Sequence, residues 1–190
     1  MSDFFLFLFN AILVNNLVLT HLVGLDLQVA TSRRMDIAWF TGLITLFCFC
    51  ILLPCIYLAR VFIVAPLEIE YLDLLLYVLI TIVIVLVIQK LFYRFVPLSF
   101  QKIKAITPVI LMNSILFAVI LLQEIQVNNI IDSFLFAVAS GTGFLFLLLV
   151  ITCLRERIDN ANIPKPFQGL PVILITYGML SMGLAGLSGL

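Results

Sequence analysis

The sequence predicts an all-α integral membrane protein with six transmembrane helices, and three observations support this fold class. Hydrophobic residues make up 64% of the 190 residues, whereas an average soluble domain contains about 45–50% apolar residues with glycine counted. Charged residues make up only 11%, against roughly 25% in soluble proteins. The apolar residues also fall into runs of about 17–25, the length that a helix needs to cross a bilayer. This composition excludes a soluble enzyme, a nucleic-acid-binding protein and a disordered chain.

The first three predicted spans lie in the first hundred residues. The first run begins close to the N-terminal Met and has neither a basic leading region nor a small-residue cleavage site, so we expect a retained span. The second has Pro54 near its end. The third becomes amphipathic after its apolar part, through Lys90 and Arg94. The predicted spans are Phe4–Val23, Ile37–Leu58 and a segment from Tyr71 to Ile88.

The second three predicted spans occupy the rest of the chain. The fourth carries Pro108 early and Asn113 in its middle, and the sixth is rich in glycine. An alternation of period two is absent and the runs are too long for barrel strands. Since the bilayer core admits only helices and closed barrels, all six runs are predicted to be helices. These spans are Ile106–Leu122, Ile130–Leu154 and Phe167–Leu187.

The basic residues predict the orientation of a single membrane domain, residues 1–190. Ten Lys and Arg balance ten Asp and Glu. Nine of the ten basic residues lie around the first, third and fifth connections, and Arg60 lies on the other side. The positive-inside rule therefore places these connections in the cytoplasm and both termini outside.

Asparagine side chains at corresponding places predict an internal repeat. Asn15 and Asn16 lie in span one, and Asn113 lies 98 residues after Asn15 in span four. Amides within a span are costly and mark ion paths or helix breaks. Three spans in each half give opposite topologies, so we expect two inverted repeats, residues 1–100 and 101–190, with helices one and four broken. The alternative is that these amides only hold helices together through hydrogen bonds.

The sequence contains no pairing of a nucleophile with a base, no histidine cluster and no phosphate-binding loop, so we predict no catalytic residue and no confident metal site. The four cysteines form no C-x-x-C pair and are predicted to be unpaired, small apolar residues. They are Cys48, Cys50, Cys55 and Cys153.

Four short motifs carry a resemblance to a known family. In chain order they are Val14-Asn15-Asn16, Ser32-Arg33-Arg34, Leu154-Arg155-Glu156-Arg157 followed by Ile163-Pro164-Lys165-Pro166-Phe167-Gln168-Gly169, and Ile175-Thr176-Tyr177-Gly178-Met179-Leu180-Ser181-Met182-Gly183. Together they make the whole chain resemble the family that comprises the A subunit of the Rnf (Rsx) ion-translocating electron-transport complex and the E subunit of the sodium-pumping NADH:quinone oxidoreductase.

The resemblance implies a function in the bacterial inner membrane, with periplasmic termini. Such a subunit pairs with a homologous six-helix subunit of opposite orientation and with other subunits of a redox complex. A [2Fe-2S] cluster is held between the pair by two cysteines from each. Transmembrane electron transfer is coupled to Na⁺ or H⁺ movement, in a translocase of the ferredoxin:NAD or NADH:quinone type.

At the two family ligand positions this chain carries Asp26, after Gly24-Leu25, and Ser114, after Asn113. Iron–sulfur clusters are normally held by thiolates. Two oxygen side chains in their place argue against an ordinary [2Fe-2S] cluster shared by this subunit. A non-redox relative of the same fold, acting as a transporter or scaffold subunit, is therefore the alternative function.

Overall fold

A computed structural model describes residues 23–32, 35–67, 72–95, 113–127, 129–161 and 163–187. Within these ranges the chain is helical without strands, and six α-helices have seven residues or more. They are α1 (Leu25–Thr31), α2 (Met35–Ala59), α3 (Asp73–Phe95), α4 (Ser114–Gln126), α5 (Ile130–Asp159) and α6 (Leu170–Leu187).

Helices α2 and α5 form the centre of the described structure and make its most extensive contact between helices. By length and composition these are the two described helices that can cross a membrane. Shorter apolar helices occur within α3, α4 and α6. The all-helical prediction is thus confirmed for the described residues.

Glycines allow α2 and α5 to approach closely. A Cβ atom built on Gly42 would lie 3.0 Å from Leu145 Cγ, and one built on Gly141 would lie 3.1 Å from Leu46 Cα. Small residues at helix crossings let backbones pack directly, which is a principal source of helix association in membranes. The position of α5 against α2 therefore depends on the absence of side chains at these two residues.

Helix α3 packs against α2, and buried residues of α3 and α6 belong to the same apolar core. Tyr77 on α3 and Tyr177 on α6 are almost completely buried, whereas Leu75 and Met182 are more than half exposed. Exposed apolar side chains on such helices suit contact with lipid or with neighbouring membrane subunits.

The described helices agree with predicted spans two, three, five and six, with shifts at their ends. Helix α2 begins at Met35 and continues through a π-helical turn, Arg60–Val64, and a last helical turn, Ala65–Leu67. Pro66 accounts for the wider turn, because proline lacks an N–H and its ring clashes with the carbonyl four residues earlier. In span four, α4 begins at Ser114. Span one lies outside the described residues except at its last residue, Val23.

We expect Gly141→Ala to destabilise the protein. Glycine to alanine normally gains about 0.5–1 kcal/mol within a helix, but here the new methyl group overlaps the α2 backbone, and overpacking costs about 1–3 kcal/mol. Gly178→Ala on α6 is the matched control, since its Cβ would meet nothing within 4 Å. The midpoint of unfolding in denaturing detergent is expected to fall for Gly141→Ala and to hold or rise for Gly178→Ala. Equal shifts would show that the crossing tolerates a side chain.

Candidate functional site

Helix α1 begins at a glycine with a left-handed backbone. Gly24 has φ +83° and precedes Leu25, the first residue of α1. Residues with side chains rarely adopt this conformation, so glycine is required to turn the chain into the helix. A Cβ on Gly24 would also lie 3.0 Å from Ile115 Cβ. The start of α1 is thus in direct contact with the start of α4.

Helix α4 begins at a capping asparagine. The Asn113 side-chain Oδ1 accepts a hydrogen bond from the Ile115 backbone N–H at 3.3 Å, which is the usual way that asparagine satisfies a free donor at a helix start. Asn113 is fully buried, and its Nδ2 has no partner among the described residues. The amide that the sequence predicted in the middle of a span therefore marks the N-terminus of a helix.

Ser114 joins the two helix starts. Its Oγ accepts from the Gly24 backbone N–H at 3.1 Å and donates to Asp26 Oδ1 at 3.0 Å. Asp26 lies in the first turn of α1, where a negative charge is favourable. The two predicted ligand positions, 88 residues apart in the chain, are hydrogen-bonded to each other. Both side chains are exposed on the surface of the described structure.

The other end of α1 is held by α5 and α6. Arg155 Nη1 donates to the Val29 carbonyl at 2.9 Å and to Ser32 Oγ at 2.7 Å. The last carbonyls of a helix lack partners within it, and a cation there is stabilising. On α6, the Tyr177 hydroxyl donates to Gln28 Oε1. These contacts fix the short helix that carries Asp26.

A second polar cluster surrounds the end of α4. Arg60 Nη1 donates to the Glu124 carbonyl at 3.1 Å, and the Tyr77 hydroxyl lies 3.5 Å from Glu124 Oε1. Gln123 Nε2 donates to the Leu53 carbonyl at 2.9 Å. Arg60 thus binds a carbonyl near the end of α4, as Arg155 binds one near the end of α1.

The structure brings together three of the five sequence-predicted site residues, Asp26, Asn113 and Ser114. The other two, Asn15 and Asn16, lie outside the described residues. Sequence reasoning missed Gln28 on α1, which accepts from the Tyr177 hydroxyl, and Gln123 on α4, which donates to the Leu53 carbonyl. The sequence signal was weak, because each amide lies close to a carboxylate, Asp26 or Glu124, and just beyond the end of a predicted span.

The side chains at this junction do not fit a [2Fe-2S] cluster. Its donors are a carboxylate and a hydroxyl that bond to each other, whereas such clusters are held by thiolates. The four cysteines, all unpaired, lie on α2 and α5. Within the described ranges, His, Cys, Asp and Glu form no group of three that could hold a metal ion.

These features define a helical membrane subunit whose short helices α1 and α4 meet at their N-termini. The family described as Rnf-Nqr subunit, membrane protein, matches residues 4–190. The chain belongs to this family.

Curated relatives of this chain are named as the A subunit of an ion-translocating oxidoreductase complex. The protein from Aliivibrio salmonicida (strain LFI1238) is 32% identical over 190 residues, which cover all of this chain and 98% of that protein. The protein from Alkalilimnicola ehrlichii is 33% identical with the same coverage. The protein from Thioalkalivibrio sulfidiphilus is 32% identical, with 99% of that protein covered. The family predicted from the sequence motifs is confirmed.

Proposed function

We propose that this chain supports transmembrane electron transfer coupled to Na⁺ or H⁺ movement, as a membrane subunit of an Rnf-type oxidoreductase complex. Support comes from the family match over residues 4–190 and from full-length relatives named as subunits of an ion-translocating oxidoreductase complex. The chain is a multi-pass protein of the bacterial inner membrane, with both termini in the periplasm. The nine-to-one distribution of basic residues supports this orientation.

The observation that carries the proposal is the exposed pair formed by Asp26 and Ser114. Helices α1 and α4 have 7 and 13 residues, so they are about 10 and 20 Å long at 1.5 Å per residue. They meet at their N-termini, and their other ends bind Arg155 and Arg60, which the proposed orientation assigns to opposite sides of the membrane. In this proposal the pair therefore lies inside a hydrocarbon core about 30 Å thick. A carboxylate facing lipid at that depth is costly, so a partner surface covers it.

The partner in this proposal is a homologous six-helix subunit of opposite orientation. The junction of α1 and α4 exposes two helix N-termini and the Asp26 carboxylate, so we infer that a partner subunit contacts this surface. The remaining subunits of the redox complex supply the electron donor and acceptor.

Reciprocal contacts support two inverted repeats, residues 1–100 and 101–190. Gly42 faces Leu145, and Gly141 faces Leu46. Each glycine, and each leucine, is 99 positions from its counterpart. If each residue is replaced by its counterpart in the other half, the Gly42–Leu145 contact becomes the Gly141–Leu46 contact. A two-fold axis between α2 and α5 requires this relation.

The ends of the two short helices are bound in a similar way, although their first residues, Leu25 and Ser114, are 89 positions apart and not 99. Arg60 binds a carbonyl in the last turn of α4, and Arg155 binds one in the last turn of α1. Tyr77 reaches α4 from the first half, and Tyr177 reaches α1 from the second. In the proposed repeat, α1 and α4 are the second parts of broken helices one and four. Asn113 then lies at the break of helix four, near the proposed ion path, and Asn15 and Asn16 lie outside the described residues.

We propose further that this chain does not ligate an ordinary [2Fe-2S] cluster, because Asp26 and Ser114 offer only oxygen. The same donor set favours a second candidate function, a non-redox relative that acts as a transporter or scaffold subunit. A subunit of a complex needs partner subunits, whereas a transporter can work alone.

Affinity purification of the tagged chain from its native membranes separates a complex subunit from a transporter that works alone. We expect a six-helix subunit with the opposite distribution of Lys and Arg to copurify, since the exposed junction needs a cover. An Asp26→Lys variant is expected to lose that partner, whereas Asp159→Lys at the far end of α5 keeps it. A monodisperse chain that moves a solute by itself in liposomes would overturn the complex-subunit function.

A further inference from the structure

A small cavity lies beside the end of α4, away from the junction of α1 and α4. Its volume is ≈ 10 Å³, which is room for about one water-sized species. Three of its eight lining residues are buried aliphatic side chains, and the other five carry a hydroxyl, an amide or a charge. The lining residues are Ile56, Tyr57, Arg60, Tyr77, Ile120, Gln123, Glu124 and Val127.

Gln123 presents an unpartnered oxygen in this cavity wall. Its side chain is only 3% exposed, and Nε2 donates to the Leu53 carbonyl and to Ser133 Oγ, at 2.9 and 3.0 Å. A carbonyl accepts and cannot donate, so this contact fixes which end of the amide carries nitrogen. Oε1 is left buried without a partner among the described residues. A buried acceptor without a donor is costly, so the site calls for a cation or a proton donor.

The carboxylates around the cavity outnumber the basic groups. Glu124 on α4 lines the cavity together with Arg60. Asp73 lies one helical turn before Tyr77 on α3, and its Oδ1 is buried without a partner in the described ranges. Glu124, Asp73 and Arg60 all lie close enough to act electrostatically on Tyr77, which gives two carboxylates and one guanidinium around it. Tyr57 and Tyr77 are the other titratable groups in the wall. On α5, Ser133 contacts the cavity residue Gln123, while Asp132 is exposed and accepts a hydrogen bond from Asn129.

The backbone near the cavity is irregular. Arg60 begins the π-helical turn of residues 60–64, and such turns often occur at functional sites. Arg60 binds the Glu124 backbone carbonyl, whereas the Glu124 carboxylate is the group that Tyr77 contacts.

We propose that this cavity binds one monovalent cation, Na⁺ or hydronium, through Gln123 Oε1, the Glu124 carboxylate and the Tyr77 hydroxyl. The chemistry shared by these two ions is a single positive charge of water size that oxygen ligands can surround. Arg60 lowers the affinity and so keeps the ion exchangeable. By the proposed orientation the site lies at the periplasmic end of the protein. Its role as an entry or exit point for the translocated ion rests on the proposed function, but ion binding itself does not.

The test uses the full chain in lipid nanodiscs and measures the unfolding midpoint. NaCl replaces choline chloride at constant ionic strength and pH, and a separate series lowers the pH without Na⁺. An ion that binds only the folded state raises the midpoint as its concentration exceeds Kd. We expect a rise with Na⁺, or with acid if hydronium is the occupant. Glu124→Gln is expected to raise the Kd about tenfold or more, because it removes the nearest negative charge.

Arg60→Gln is predicted to act in the opposite direction and to strengthen the ion response, since it removes the positive charge. A general loss of stability cannot weaken the ion response in one variant and strengthen it in the other. If Glu124→Gln fails to fold, Tyr77→Phe keeps the ring and is expected to weaken the response. Glu156→Gln on the exposed end of α5 is the matched control and leaves it unchanged. A midpoint that responds to neither ion, or responds equally in wild type and Glu124→Gln, would overturn the proposal and leave a neutral water in the cavity.

Discussion

Arg155→Met is expected to destabilise the protein by about 3 kcal/mol or more, since two hydrogen bonds from a charged donor are lost at about 1.5–3 kcal/mol each. The guanidinium binds the Val29 carbonyl and Ser32 Oγ, and the side chain is only 9% exposed. Methionine fills a similar volume but donates no hydrogen bond, so the end of α1 is left with unsatisfied acceptors. The free energy of unfolding in mixed detergent micelles measures this loss.

Arg157→Met is the matched control for this change. Arg157 lies one residue beyond Glu156 on the same helix and is exposed, so we expect a change within about 0.5 kcal/mol. Equal effects of the two substitutions would show that Arg155 acts only as one more basic charge at this end of α5. Because α1 carries Asp26, we also expect Arg155→Met to reduce the amount of copurified partner at temperatures where the protein still folds.

The sequence was sufficient to predict the helical membrane class and the approximate limits of four spans. Apolar runs report these features directly, since the bilayer selects for length and for absence of charge. The positions of Asp26 and Ser114 as site residues came from the resemblance, and the structure adds their hydrogen bond. Composition and periodicity cannot report such a contact, because 88 residues separate the two side chains.

Arg60 and Arg155 illustrate what counting charges misses. The positive-inside rule treats every arginine near a span end as a marker of sidedness. Both residues instead bind carbonyls at the ends of short helices. Long arginine side chains can reach several partners, so their binding partner depends on how helices are arranged in space. That arrangement follows from the glycine contacts between α2 and α5, which sequence periodicity does not specify.

Asn113 is a second residue whose structural role the sequence alone does not determine. An amide within an apolar run is consistent with a hydrogen bond between helices, an ion path or a helix start. The structure shows a helix start, because Asn113 has an extended conformation and caps α4. The same ambiguity applies to Asn15 and Asn16, whose placement lies outside the described residues.

Introducing cysteines at the two junction positions is expected to create a thiolate pair where the chain now has oxygen. In the variant Asp26→Cys with Ser114→Cys, the thiolates replace side chains whose oxygens lie 3.0 Å apart. With two cysteines from the homologous partner, as the family resemblance implies, four sulfur ligands would surround one site, the donor set that [2Fe-2S] clusters require. We therefore expect the variant, coexpressed with that partner, to acquire iron.

Two single variants, Asp26→Cys and Ser114→Cys, are the controls, since each supplies one thiolate. They are expected to hold far less iron than the double variant. The wild type already contains four cysteines on α2 and α5, so thiol content alone does not account for a gain. Retention of the partner in each preparation verifies that the junction still folds.

The visible absorption and paramagnetic resonance spectra of the dithionite-reduced pair test most directly whether oxygen has replaced the family's sulfur ligands at this junction. For the wild-type chain with its partner, we predict no [2Fe-2S] signal, and for the double cysteine variant a signal that the single variants lack. A wild-type pair with a full [2Fe-2S] spectrum, unchanged by the added cysteines, would contradict the account.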